Sequence, residues 1–138
     1  MASVRLTWRG LAELRAALQR LPDDLRNEAA DHVEASASSA AAAIMAAYPR
    51  HSGNLRDHVT VKTLDAPTRY GIRKQVRSTA KHSHLFEYGT QIRRSSTRSN
   101  LGAMPAKPTV IPNVIRERRK LQGTLIGIVQ RAGFTVRE

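Results

Sequence analysis

The sequence predicts an α+β domain: a small antiparallel sheet packed on one long alanine-rich helix, with a C-terminal helix and a long basic loop before it. Three observations carry that prediction. Apolar residues from Leu25 to Ala47 recur at helical spacing for more than six turns. Two short stretches, His58 to Leu64 and Tyr70 to Val76, alternate with the two-residue period of strands. From Val110 to Val129 the three-and-four spacing returns. At 138 residues the chain is the size of one domain, read here as residues 1–138 with a loop or arm at 90–109.

In order along the chain, Val4, Leu6 and Trp8 alternate with polar neighbours and predict a short first strand ending at Gly10. Leu11, Leu14, Ala17 or Leu18, and Leu21 then share one helical face, and Pro22 stops that helix. The same proline, followed by Asp23 and Asp24, opens the long second helix, because acids favour the positive end of a helix dipole. Tyr48 and Pro49 close it. Its second half, ASASSAAAAIMAA, presents side chains small enough for a close neighbour, either the sheet and last helix of the same chain or another subunit.

After the loop PRHSGN come the two strands, joined by a longer turn through Asp65, Ala66, Pro67 and Thr68. Leu85, Phe86 and Tyr88 form an apolar patch that fits either a strand or a helical turn, ended by Gly89. Residues 90–109 mix Ser, Thr, Gly, Pro and Arg without apolar periodicity, the mark of a long loop. The final helix runs to Gly133, weakened by Gly123 and Gly127.

Composition narrows function. The absence of cysteine excludes disulfide scaffolds and Cys-based zinc sites. No run approaches the roughly 18 apolar residues of a membrane span, and no apolar segment follows the N-terminus as a signal peptide needs, so no membrane partner is expected. Net charge is +12, and its placement matters more than its size. Residues 1–66 carry eight bases and eight acids; residues 67–138 carry fifteen and three. Such a field attracts polyanions, whether nucleic acid, an anionic membrane surface or an acidic protein face, and its sign alone does not choose among them.

Candidate chemistry is sparse. His82, His84 and Glu87 are types that ligate zinc, but the spacing is generic. His51, Ser52, Asp57 and His58 can be assembled into a hydrolytic set only on paper, since no nucleophile elbow or phosphate loop accompanies them. No catalysis, metal or cofactor is expected. Arg93, Arg94 and Arg98, with Lys107 beyond them, suit contact with phosphate or an acidic partner. Arg116, Arg118, Arg119 and Lys120 form a second basic cluster on the last helix. Opposite them in charge stand Asp24, Glu28 and Asp31 on the second helix, either facing that cluster within the chain or meeting the basic face of a neighbouring subunit.

Three pieces then resemble a known family: YPRHSGNLRDHV at 48–59, HLFEYGT at 84–90 and MPAKPTVIPNVI at 104–115. Their order is similar to that of the tailed-phage tail-component family of head-tail connector proteins, those of the neck or tail completion. Thr109 stands where that family often has Phe, and Asn113 where it has Ala. The resemblance gives Gly53 and Leu55 a structural role in the loop entering the sheet. It makes Glu87, Gly89 and Thr90 a turn whose carboxylate holds nearby amides or an arginine, and Pro105, Pro108 and Pro112 the stiff approach to the last helix. It implies a non-enzymatic virion protein, made in the host cytoplasm, that forms a hexameric or twelvefold ring at the head-tail junction. Its partners would be itself, an adjacent head-closure or adaptor ring, the tail tube or terminator protein, and genomic DNA in the lumen. The alternative is a basic nucleic-acid-binding protein, favoured by the charge alone.

Overall fold

A computed structural model describes residues 10–51, 53–65, 72–97 and 100–135. The expected first strand at Val4 to Trp8, the turn at 66–68, Tyr70, Ser52 and Arg98 lie outside those residues. Helix α1 (Leu11–Gln19) is followed by α2 (Asp23–Ala47), a one-turn helix α3 (Asn54–Asp57), strands β1 (Val59–Leu64) and β2 (Arg73–Ser78), helix α4 (Ser83–Tyr88) and helix α5 (Val110–Arg131). The α+β class and the long alanine-rich helix follow the sequence.

Helix α2 starts where Pro22 leaves the chain extended, and Asp23 and Asp24 occupy its first turn. Asp23 also pairs with Arg26 one turn on. Helix α5 runs antiparallel to α2: Ser36 donates to the Glu117 carbonyl, whereas Glu28, further toward the start of α2, receives Arg131 from the end of α5. Between them lies the main core, where Leu14, Leu21 and Ala29 enclose Ile128 and Val129, the latter fully buried. Gly123 and Gly127 do not interrupt α5, which continues through both.

Further along α2, Ala37, Ala40, Ala41 and Ile44 are buried within the chain. Of the two seats that this alanine face could provide, the structure therefore shows the intramolecular one. Small side chains let α5 and the sheet approach the same helix from two sides.

Strands β1 and β2 pair antiparallel, with Val61 opposite Val76 and Thr63 opposite Lys74. Lys74 anchors the sheet to α2 by bonding both Thr63 and Glu34. The strand alternation does not translate into a buried and an open face: Val61 stays exposed, and Ile72, expected within the second strand, is exposed just before β2, which runs from Arg73 to Ser78. A two-stranded sheet lying across one narrow helix covers little of its own surface.

One element differs from the sequence reading and one resolves an alternative it left open. The loop before β1 contains α3, which begins because Gly53 adopts φ 74° and its carbonyl accepts from the Asp57 amide. Arg56 of α3 reaches back to the Met45 carbonyl at the end of α2. The Leu85–Tyr88 patch is helical, turning on Ser83, whose amide and hydroxyl both bond the Ala80 carbonyl.

Candidate functional site

The three sequence pieces at 48–59, 84–90 and 104–115 meet at one buried carboxylate. Glu87, 9% exposed on α4, accepts a 2.9 Å hydrogen bond from the Tyr48 hydroxyl at the end of α2. Its other contacts come from the start of α5: the Thr109 amide at 2.7 Å and the Val110 amide at 3.2 and 3.3 Å. The first amides of a helix have no partner inside it, and the end they form is electropositive. Here the cap is supplied by another element, since the Thr109 side chain, in the capping position, bonds the Lys107 carbonyl instead. Pro112 brings no amide to the same turn, and Asn113 ties its side chain to the Thr109 carbonyl. Thr109 and Asn113, the two departures from the family pattern, thus both take part in the α5 entry.

Burial and the adjacent carboxylate push the Tyr48 phenol well above the usual tyrosine value of 10. Its ring meets Phe86 edge-on, with centroids 5.4 Å apart. Tyr48, Glu87 and Phe86 therefore form a small locked unit between α2 and α4.

Gly89 and Thr90 serve the same junction. Gly89 has φ 74°, and a side-chain carbon added there would stand 2.6 Å from the Met104 carbonyl and 2.8 Å from the Ala106 amide. Only glycine lets the chain at 104–106 cross so closely. Thr90 then holds Met104 twice: its amide donates to the Met104 carbonyl and its hydroxyl oxygen accepts from the Met104 amide, both at 2.9 Å. The Lys107 amide bonds the Phe86 carbonyl.

From this root an arm leaves the body. Arg93 donates its amide to the Gly102 carbonyl and accepts from the Leu101 amide, so the two described limbs of the arm, 90–97 and 100–104, are bonded to each other rather than forming a featureless loop. Every described side chain from Gln91 to Thr97 is exposed. Arg93 and Arg94 lie on this arm, and Lys107 is exposed beside its root. Arg116, Arg118, Arg119 and Lys120 are exposed on α5, far in sequence from the arm. They do not form the intramolecular counterface to the acidic helix. That contact is made by Arg131 with Glu28 and by Lys74 with Glu34, while Lys120 pairs with Glu117 on its own helix. Asp24 and Asp31 are exposed. The sequence reading missed the roles of Tyr48 and Arg131; a tyrosine directly before the proline that ends a helix was the available signal for the first.

Among the described residues no three of His, Asp and Glu converge as a metal site would require. His58 bonds the Asn54 carbonyl, and His82 and His84 are exposed around the start of α4. No helix among the described residues is long and apolar enough to cross a membrane.

A family model described as "Bacteriophage HK97-gp10, putative tail-component" matches residues 12–89, more than half of the chain. The chain belongs to the HK97-gp10-like family. Membership makes it a phage tail component and so a protein of the virion. The matched span covers α1 to α4 and includes Tyr48, Gly53, Glu87 and Gly89, but ends before the α5 residues that Glu87 caps. No curated protein matches the chain. No solved structure matches it either.

Proposed function

We propose that this HK97-gp10-like protein is a structural protein of the head-tail junction, assembling as a homo-oligomeric ring of six or twelve copies around the DNA channel. It acts as a neck, tail-completion or terminator component, between a head-closure or adaptor ring and the tail tube. The observation that carries this reading is the convergence on Glu87 of the three sequence pieces that mark the connector resemblance, in a chain whose family is one of tail components. The protein does no chemistry in this role; it is a rigid body with basic surfaces for its neighbours. Arg93, Arg94, Arg98, Lys107 and the α5 cluster of Arg116, Arg118, Arg119 and Lys120 contact acidic protein or the DNA end. Asp24 and Asp31, with Glu28 beside them, face a neighbouring subunit.

Deleting the gene from the parental phage and imaging the lysate by electron microscopy tests this directly. Filled heads beside separate, complete tails are expected; intact infectious particles would overturn the reading. A second reading, a nucleic-acid-binding protein, is favoured by the fifteen bases against three acids after residue 66. Salt separates the two: phosphate-based binding weakens log-linearly and steeply with salt, whereas a ring held by apolar faces survives.

A further inference from the structure

We propose that the 90–104 arm of one copy docks on the acidic face of α2 in a second copy of this chain. The inference rests on the self-assembly proposed above and specifies its contact. The arm is a built surface: its root is fixed by the Thr90–Met104 and Arg93–Gly102 backbone bonds, with Leu101 closing onto the Arg93 carbonyl. It carries apolar side chains into solvent, with Ile92 at 59% and Leu101 at 43% exposure, and Tyr88 at its base at 74%. Exposed apolar side chains gathered on one projection mark an interaction surface. Beside them Arg93 and Arg94 form none of the ion pairs found among the described residues.

The complementary charges sit on α2. Asp24 and Asp31, two turns apart on one face, are exposed and take no part in those ion pairs either, although Glu28 and Glu34 do. The two surfaces are at opposite ends of the same long helix. The arm is rooted beside Tyr48, which closes α2. At 1.5 Å per residue Asp31 lies about 25 Å and Asp24 about 36 Å from that end. Among the described residues no hydrogen bond or ion pair links the arm to either, so the contact joins copies. Because arm and acidic face are different patches, the contact is head-to-tail, the kind that closes a ring when its rotation permits.

The test uses full-length chains supplied to a phage lacking the gene, with fold checked by circular dichroism and joined particles counted by electron microscopy. Arg93→Glu with Arg94→Glu, and separately Asp24→Arg with Asp31→Arg, should each lower joined particles at least about tenfold, since like charges across an interface cost several kcal/mol. All four changes in one chain should restore joining to near the wild-type level, and so should the two defective chains supplied together. Either reversal leaving joining intact, or both reversals failing to rescue each other, overturns the docking while leaving the ring intact as a reading. A second measurement is independent of charge. The chain has no cysteine, so Ile92→Cys with Asn27→Cys should give disulfide-linked multimers in particles, and neither single variant should. Joined particles without such multimers would also overturn the docking, whereas normal joining in the gene's absence would overturn the ring itself.

Discussion

The buried Tyr48 hydroxyl donates to Glu87 across 2.9 Å, and through that carboxylate the end of α2 is fixed against the start of α5. Residues far apart in the chain thus share one polar junction. A carboxylate is acceptor-only, so each donor around it is matched without competition.

Removing that acceptor leaves buried donors unpaired. Glu87→Ala should cost about 3 kcal/mol, and Glu87→Gln about 2 kcal/mol because an amide NH2 then faces the helix amides. The urea midpoint should fall with an unchanged slope. A glutamine variant as stable as the wild type would show that the carboxylate does not hold α5.

Gly89 and Gly102 offer a matched comparison, since both have φ 74° but only Gly89 is crossed by backbone. Gly102→Ala should cost about 1 kcal/mol for its conformation alone. Gly89→Ala should cost about 3 kcal/mol or more, because the Met104 carbonyl and the Ala106 amide must move as well. Equal thermal midpoints for the two variants would contradict the crossing.

How much of this was legible beforehand divides by range. Local chemistry announced itself: the α2 stripe and the Pro22 start follow from neighbours in sequence, whereas a structural role for Gly53 came from the resemblance. The turn at 87–90 could be recognised as a motif, and a carboxylate holding either nearby amides or an arginine was expected of Glu87; it holds amides. Which amides it holds was not readable, because Thr109 is 22 residues away and its N–H looks like any other. The pairing of Arg131 with Glu28 was hidden for the same reason, and the clustered arginines at 116–119 drew attention to the wrong part of α5. The helix α3 was missed because four residues are too short for a periodic signal.

Alkaline pH should find the Tyr48 junction. The phenol's proton is held more tightly in the folded chain than in the unfolded one, foremost by burial and then by Glu87. Its contribution to stability is therefore complete below the ordinary tyrosine value of 10 and is lost as pH rises above it. Tyr48→Phe should be less stable at pH 7 by about 1 kcal/mol, and its stability should fall less steeply above pH 10. Parallel stability curves for the two proteins would exclude this coupling.

Acid acts on a different pair. Lys120 donates to Glu117 at 3.0 Å and holds that carboxyl below the usual glutamate value of 4.5. The unfolded chain takes up its proton first, so this contribution is present at neutral pH and fades as pH falls from about 4.5 through the lower folded value. Glu117→Gln should flatten the acid limb of the stability curve below the usual glutamate value of 4.5, measured by urea unfolding at each pH. Because Lys120 is largely exposed, Lys120→Met should change stability at pH 7 by less than about 1 kcal/mol.

The placement of Ile128 and Val129 has a consequence for how the protein comes into being. Residues 12–89 carry the whole family match, yet the two side chains that seal the α1–α2 core arrive some forty residues later. A ribosome that has just released Gly89 has delivered everything the family model matches and a chain that still has no closed interior. Commitment to the native state is thus deferred until α5 has been made, when it docks and Glu87 receives its amides. A premature stop before α5 would yield an aggregation-prone fragment for proteases and chaperones to clear, not a smaller working tail component.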